Sequence, residues 1–202
     1  LGVITNRDRE FYLHELANVD GCDWSDLFVT HVCGDDTVKR KPHCDQVLKA
    51  VDNLKVKLGK DVWYVGDSVT DMVTARTAGN TSIFYNGAQW PRDWFKQMFK
   101  EQDAARYKLD AIADDFEHLL DLVDTSIEHS NLQSIYNLTA QRPQRLPKHA
   151  TPPLRTEPDW HPALANLTYP SVILFDWHAT LVDTLDAMYH AVDDMLKELK
   201  NL

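Results

Sequence analysis

The sequence lacks the features that mark several large classes of protein. No stretch of its 202 residues approaches the roughly 18 consecutive apolar residues needed to cross a bilayer, so a membrane protein is not expected. Cysteine is scarce, with only 3 residues and no C-x-x-C spacing, which predicts neither a disulfide framework nor a zinc site. We expect Cys22, Cys33 and Cys44 to be small core or surface thiols in the reducing cytoplasm.

Positive charge is also in short supply. Lys and Arg number 21 against 31 Asp and Glu, which gives a formal net charge of -10. A protein that binds the phosphate backbone needs a basic face, so nucleic acid is not an expected partner. The chain starts at Leu1 with neither a Met nor a basic, cleavable leader, and we therefore expect no signal peptide and an incomplete gene product. Clustered acids could instead hold a divalent cation.

The distribution of proline divides the chain. Hydrophobic residues make up 44% of the sequence, and the length suffices for one sizeable core. Seven of the 9 prolines fall between positions 143 and 170, which predicts an extended connector there. We therefore expect a core over residues 1–125, a Pro-rich connector or tail over 126–170, and a last strand and helix over 171–202.

Short apolar runs are the clearest structural signal. Several of them are too short for free-standing helices and read as strands buried on both faces, and a polar side chain follows each. These runs and their polar residues are 1–4 with Thr5, 62–66 with Asp67, and 172–175 with Asp176. Because ligands bind outside the carboxyl ends of the strands in an open α/β sheet, we expect these side chains to share one edge.

A pair of acids follows the run at 62–66. Asp67 and Asp71 stand four residues apart where the chain enters a helix, a spacing that can direct both carboxylates toward one point. Two acids in a low-dielectric cleft repel each other, and a cation is an economical way to keep both ionised. The structural alternative for residues 66–71 alone is a helix cap with an acid in the first turn.

A basic loop precedes Pro42. Lys39, Arg40 and Lys41 are consecutive, and from the residues alone any of them could be a solvated charge. A helix follows, with Val47 and further apolar residues at helical spacing up to position 58.

Taken together, these stretches resemble the haloacid dehalogenase-like hydrolases, and within that superfamily the phosphoglycolate phosphatases. The nucleophile motif of the family is usually Asp-x-Asp-Gly-Thr-Leu-Val-Asp-Ser, and its other motifs are a strand-end Thr or Ser often followed by Asn, a Lys-Pro pair, and Gly-Asp-x-x-x-Asp. The matching positions are 176–184 for the first motif, Thr5 and Asn6 for the second, Lys41 and Pro42 for the third, and Asp67 and Asp71 for the fourth.

The resemblance implies a fold and an activity. The fold is a Rossmann-like three-layer α/β sandwich with a mostly parallel central sheet, and the family's cap domain would be largely absent from this chain. The activity is magnesium-dependent hydrolysis of a small phosphomonoester through an aspartyl-phosphate intermediate. The implied roles are Asp176 as nucleophile, Thr5, Asn6 and Lys41 at the phosphate, and Asp176, Asp67, Asp71 and the main-chain carbonyl of His178 at Mg²⁺.

The chain departs from the family at two neighbouring positions. His178 replaces the second aspartate of the nucleophile motif, and Ala179 replaces its glycine. Proton transfer to the leaving oxygen, which contributes about 10²- to 10⁴-fold, would fall to His178, and we expect nearby carboxylates to keep that side chain protonated near neutrality. The alternative function is a catalytically weak or inactive phosphate-binding or scaffold protein. A dehalogenase fits less well, because that chemistry does not need the Asp67 and Asp71 pair.

The motifs also occur in a rotated order. The family has its nucleophile strand first, whereas here Thr5, Lys41 and the acidic pair all precede Asp176. A circular permutation would explain this order, as would an N-terminal segment joined after a C-terminal one. The second explanation is slightly favoured, because both ends of the chain fall where the family's cap is inserted.

Overall fold

The computed structural model describes residues 1–19, 23–99, 109–129 and 167–182, which form a sheet flanked by helices. The helix predicted from residue 183 and most of the predicted connector lie outside these residues. The strands are β1 (Gly2–Ile4), β2 (Thr30–Val32), β3 (Val62–Gly66), β4 (Thr81–Tyr85), β5 (Ala111–Ala113) and β6 (Val172–Asp176). The helices are α1 (Arg9–Leu16), α2 (Asp45–Leu54), α3 (Val69–Ala78), α4 (Arg92–Met98) and α5 (Phe116–His129), with single 3₁₀ turns at Ser25–Leu27 and Gly34–Asp36.

All six strands join one sheet in the order β2-β1-β6-β3-β4-β5. Every pairing is parallel, so all the strands end at the same edge. The last of the described strands, β6, lies near the centre, where Asp176 pairs with Ile4 of β1 and Phe175 pairs with Val65 of β3. The predicted fold class, α/β with a parallel sheet, is confirmed.

Each central strand supplies side chains to two cores because successive residues point to opposite faces of a sheet. One core contains side chains of α1 and α5 with sheet residues Val3, Trp63, Val65 and Phe175. The opposite core contains side chains of α2 and α3 with sheet residues Ile4, Val62, Tyr64 and Leu174. The sheet is therefore the middle of three layers, and helices cover both of its faces.

Local signals in the sequence set the ends of two helices. Ser68 caps α3 and forms a reciprocal capping box with Asp71, and the helix stops at Gly79, whose φ of 84° suits a residue without Cβ. The helix α2 ends at Leu54, because Lys55 adopts a left-handed conformation. The apolar spacing had predicted that this helix would reach position 58, so its end was placed one turn too late.

The described residues also bear on the cysteines and on membrane-spanning helices. Cys33 is buried and Cys44 is half-buried, and both are free thiols; Cys22 lies outside the described residues. Within the ranges that the structure describes, the helices are too short or too polar to cross a membrane.

A tight turn follows β6 and carries the residues where the sequence departs from the family. The main-chain amides of Leu181 and Val182 both donate to the Trp177 carbonyl at 3.0 Å, and the Ala179 amide donates to the Val182 carbonyl at 2.8 Å. Ala179 has a φ of 58°, in the left-handed region where a Cβ is crowded by its own backbone. The family's glycine at this position therefore has a conformational reason.

The turn gives a first prediction. The substitution Ala179→Gly should raise the free energy of unfolding by about 0.5–1 kcal/mol, because glycine adopts positive φ without the cost that alanine bears. Denaturant unfolding checks this value. Ala50→Gly in α2 is the matched control and should lower stability by about 1 kcal/mol, since Ala50 is buried within a helix. A loss of stability in Ala179→Gly would contradict the assigned strain.

Candidate active site

Polar side chains meet at the carboxyl edge of the three central strands β1, β6 and β3. Thr5 follows β1, Asp176 ends β6, Asp67 follows β3, and Asp71 lies in the first turn of α3. Apart from Asp67, which is half-buried, these side chains are buried. The parallel arrangement thus brings together residues that stand up to 171 positions apart in the chain.

Lys41 joins this group as a buried cation. Its Nζ donates to Asp71 Oδ1 at 2.7 Å and to Asp176 Oδ1 at 2.6 Å, and its side chain is 5% exposed. Burial by itself would lower the pKa of Lys41, but the charge of Asp71, together with other neighbours that include Asp176, raises it well above its usual range. Lys41 is therefore a fixed positive charge between two carboxylates.

The neighbouring basic residue in the loop has a different position. The Arg40 side chain is exposed and pairs with Asp8 at 2.5 Å while donating to the Asn6 carbonyl at 2.9 Å. Only Lys41 is buried among the three basic residues that the sequence left as alternatives.

Two amide side chains hold the main chain of Lys41. Asn6 accepts from the Lys41 amide at 2.9 Å and donates to the Lys41 carbonyl at 3.2 Å, so both backbone groups are bound by one residue. Gln46, which is fully buried, also accepts from the Lys41 amide at 3.3 Å. The Gln46 amide donates to the carbonyls of Thr5 at 2.8 Å and Cys33 at 3.0 Å. Gln46 therefore connects the ends of β1 and β2 to the Lys41 loop.

Asp71 is held by donors from three elements. Its Oδ1 accepts from Lys41 Nζ and, at 3.0 Å, from the hydroxyl of Tyr64, which lies on β3. Its Oδ2 accepts from the Ser68 main-chain amide and hydroxyl in the capping box of α3. Asp71 is thus both a structural acid at a helix start, as the local alternative predicted, and a partner of Lys41.

The carboxylates of Asp67, Asp71 and Asp176 can hold a divalent cation. One oxygen of each lies within 4.8 Å of the others. Burial, followed by the charge of Asp71, raises the pKa of Asp67 to about 6. Burial also raises the pKa of Asp176 to about 7, although the charge of Lys41 opposes this shift. A hard cation prefers carboxylate oxygens, and its charge would offset the burial and mutual repulsion that raise these pKa values. The three residues therefore fit Mg²⁺.

Two hydroxyl groups complete this part of the site. Thr5 is 1% exposed, and its Oγ1 accepts from the Arg7 amide at 3.1 Å, which leaves its proton able to serve another acceptor. Thr180, in the turn after β6, donates to Asp67 Oδ1 at 3.4 Å. The turn is thereby tied to the end of β3.

His178 lies beside one acidic and one basic side chain, Glu15 and Arg7. Its Nε2 is 3.0 Å from Glu15 Oε2 and 3.1 Å from the Arg7 guanidinium, which itself pairs with Glu15 Oε1 at 2.7 Å. The expectation that nearby carboxylates keep His178 protonated is wrong. Burial lowers the pKa of His178 below its usual value, and the opposing effect of Glu15 is offset in part by the positive charge of Arg7.

An open cavity of about 740 Å³ lies at this edge of the sheet. The residues that line it are Thr5, Asn6, Arg7, Glu15, Lys41, Ser68, Thr70, Asp71, Asp176 and His178. The structure thus brings the residues predicted from the sequence to one place, with Asp67 at 3.4 Å from Thr180 beside it. Their chemical roles stay predictions.

Some residues of the site were not found in the sequence. Glu15 and Gln46 lie on helices and belong to none of the four motifs, and Tyr64 is one of several aromatic residues in a buried strand. Only Thr180 had a signal, because it stands within the stretch that resembles the nucleophile motif.

Comparison with known proteins agrees with this geometry. Residues 1–85 match the family model described as haloacid dehalogenase-like hydrolase. The chain is similar to the phosphoglycolate phosphatase of Xanthomonas campestris pv. campestris (strain 8004), with 31% identity over 106 residues that cover 50% of this chain and 46% of that protein. It is also similar to the phosphoglycolate phosphatase of Xylella fastidiosa (strain 9a5c), with 34% identity over 82 residues that cover 41% and 34% of the two chains.

The predicted resemblance to the haloacid dehalogenase-like hydrolases is therefore confirmed. The chain spans less than half the length of these curated relatives. A solved structure of a HAD-superfamily hydrolase from Ehrlichia chaffeensis is 26% identical, with a TM-score of 0.40, and the match covers 43% of this chain and 41% of that one. The family match ends at residue 85, so the assignment of Asp176 depends on β6 lying between β1 and β3.

The raised pKa of Asp67 gives a second prediction, for the protein in a chelator. The unfolded carboxyl loses its proton near pH 3.9 and the folded one near pH 6, so the folded state loses stability as the pH rises through this window. Asp67→Asn escapes this loss. Its melting temperature, relative to the unsubstituted protein, should therefore be higher at about pH 7.5 than at about pH 4.5.

The matched control is Asp52→Asn on the exposed face of α2, against which the pH dependence of Asp67→Asn is read. Mg²⁺ should raise the melting temperature of the unsubstituted protein more at the higher pH, because the cation competes with protons for the same oxygens. An Asp67→Asn difference that stays constant with pH would show that Asp67 does not prefer its neutral form.

Proposed function

We propose that this chain carries the core of a magnesium-dependent phosphohydrolase that acts on a small phosphomonoester through an aspartyl-phosphate intermediate. The observation that carries the proposal is the buried Lys41, which hydrogen-bonds Asp176 and Asp71 at the carboxyl edge of a parallel sheet. A buried cation beside a strand-end carboxylate suits a dianionic substrate, because it offsets negative charge on both the nucleophile and the phosphate.

Asp176 is the proposed nucleophile. In the first step one of its carboxylate oxygens bonds to phosphorus while the bond to the ester oxygen breaks, and that oxygen leaves with the electron pair and takes a proton from the His178 ring. In the second step water gives a proton back to the His178 ring and attacks phosphorus, the bond between phosphorus and Asp176 breaks, and inorganic phosphate leaves with the free carboxylate restored.

The phosphate contacts come from Thr5, Asn6 and Lys41. The Thr5 hydroxyl has a proton to donate, because its oxygen already accepts from the Arg7 amide. Lys41 supplies positive charge through Nζ. The side-chain amide of Asn6 is engaged by the Lys41 backbone, so Asn6 would contact phosphate through its main-chain amide.

The metal ligands are Asp67, Asp71, Asp176 and the main-chain carbonyl of His178. When bound there, Mg²⁺ would supply positive charge at the phosphoryl oxygens and favour the ionised form of the carboxylates. A main-chain ligand at position 178 is not changed by the replacement of aspartate with histidine. Asp71 also orients Lys41, because its oxygens accept from Lys41, Tyr64 and Ser68.

A second candidate function is a catalytically weak or inactive phosphate-binding or scaffold protein. The observation that favours it is the environment of His178, whose Nε2 lies between Glu15 and Arg7 and whose pKa is lowered by burial. A neutral imidazole is a poorer proton donor than an imidazolium. Proton transfer is therefore the step at which the two candidates differ.

The curated relatives suggest where to look for a substrate. Both are named phosphoglycolate phosphatase, so phosphoglycolate is the first ester to test on this chain. A cytoplasmic location, with the free thiols Cys33 and Cys44, is part of the same proposal.

The proposal predicts metal-dependent turnover. The protein should hydrolyse 4-nitrophenyl phosphate with Mg²⁺ and lose this activity in a chelator, and Asp176→Asn should lower kcat by at least about 10³-fold, because the nucleophile is gone. Release of inorganic phosphate measures the rate. Asp52→Asn, the exposed control on α2, should retain full activity. Absence of metal-dependent turnover over a panel of phosphate esters would favour the binding protein.

The role of His178 predicts a dependence on the leaving group. His178→Ala should slow alkyl phosphates, whose leaving oxygen needs a proton, by about 10²-fold, and should slow 4-nitrophenyl phosphate by much less. The comparison of kcat for the two ester classes measures this effect. His14→Ala, an exposed histidine on α1, is the control. Equal slowing of both classes would rule out acid–base work by His178.

A further inference from the structure

A carboxylate from outside the recognised motifs reaches the residues that follow Asp176. Glu15 lies on α1, and its Oε2 accepts from Trp177 Nε1 at 3.0 Å and is 3.0 Å from His178 Nε2. Its Oε1 pairs with the Arg7 guanidinium at 2.7 Å. Glu15 therefore contacts the side chain that stands where the family has its second aspartate.

Packing fixes the helix that carries Glu15. Tyr12, three residues earlier on the same helix face, is fully buried, and its ring meets Trp177 edge-on with centroids 5.0 Å apart. Leu16 is buried in the same core. Because Tyr12 packs on Trp177 and Glu15 accepts from its indole, α1 is held against this residue by both an apolar and a polar contact.

The contacts at the imidazole differ between its two nitrogens. Within the part of the chain that the structure describes, the polar contacts of the His178 ring are made by Nε2, to Glu15 and to Arg7. Nε2 can donate to Glu15 or accept from Arg7, but not both at once. Donation to Glu15 places the other exchangeable position of the ring on Nδ1.

We propose that Glu15 is a positioning residue for the reaction and that it acts through His178. Its carboxylate holds the Nε2 proton of the ring, so that Nδ1 is the nitrogen that exchanges a proton with the substrate; the inference rests on the proposed function. The reactive form is the imidazolium, which burial makes the minor form of this ring and the charge of Glu15 supports, with one proton on Nε2 at Glu15 and one on Nδ1. In the first step the leaving ester oxygen takes the Nδ1 proton as its bond to phosphorus breaks, and in the second Nδ1 takes a proton from the attacking water, which restores the imidazolium. A carboxylate and an imidazole together thus do the work of one aspartate.

Two substitutions of Glu15 test the role. Glu15→Ala removes the acceptor, and Glu15→Gln keeps the size of the side chain and loses its charge. Each should lower kcat on alkyl phosphates by about tenfold or more while changing kcat on 4-nitrophenyl phosphate by less than about threefold, because an aryl leaving group needs little proton transfer. Glu10→Gln, an exposed acid on the same helix, is the matched control and should change neither rate.

A double-mutant cycle separates this role from a structural one. Once His178 is alanine, Glu15→Ala should have no further effect on the ratio of alkyl to aryl rates, because its action passes through the missing ring. A structural role would instead slow both ester classes alike and add to the effect of His178→Ala. Melting temperatures identify a variant that fails to fold, and Glu15→Gln then supplies the result.

The possible outcomes are distinct. If the unsubstituted protein turns over esters, Asp176→Asn does not, and the two Glu15 variants keep the normal ratio of alkyl to aryl rates, then the role of Glu15 is overturned and the proposed function stands. If the unsubstituted protein turns over no ester with Mg²⁺, both are overturned. Selective loss on alkyl phosphates that disappears in the His178→Ala background supports the role.

Discussion

The site depends on a buried ammonium group between two carboxylates. The Lys41 ammonium depends on the carboxylates of Asp71 and Asp176, because a buried charge without a partner is costly and loss of one partner from a buried pair costs about 3–5 kcal/mol. The partners come from separate segments: a loop after β2, the first turn of α3 and the end of β6. The cluster therefore forms only when these segments are folded together. The strand order of the sheet thus decides which charged side chains face the cavity.

The central position of β6 explains why the chain order matters little to the site. A strand that pairs in parallel with both β1 and β3 delivers its last residue to their common edge, whether it stands first or last in the sequence. The side chains of β6 alternate between the two faces of the sheet, so Leu174 packs in one core and Phe175 in the other. Asp176 is thus fixed by pairing and packing on both sides.

The surroundings of His178 show how the replacement of aspartate by histidine is accommodated. With histidine at position 178, the nearby carboxylate is Glu15, which is also the acceptor for Trp177 and the ion-pair partner of Arg7. The sequence suggested that acids near this ring would keep it protonated. Only the fold reveals that Glu15 also pairs with the Arg7 guanidinium and that the His178 ring is partly buried. Burial, together with the positive charge of Arg7, lowers the pKa of His178.

The sequence by itself determined the strands, the acidic pair, and the strand-end Thr5 and Asp176, because periodicity and polar residues at strand ends are local signals. The fold class followed from the family resemblance. The sequence also showed that Ala179 replaces the glycine of the family motif, whereas the positive φ at that position came from the structure. It could not choose among Lys39, Arg40 and Lys41 without the family pattern, and it gave no sign of Glu15 or Gln46. Those contacts join residues as far apart as 163 positions, and they exist only because α1, α2 and β6 pack around one edge of the sheet. Burial and neighbouring charges decide which side chains are protonated. Both depend on the tertiary packing and cannot be read from the order of residues in the sequence.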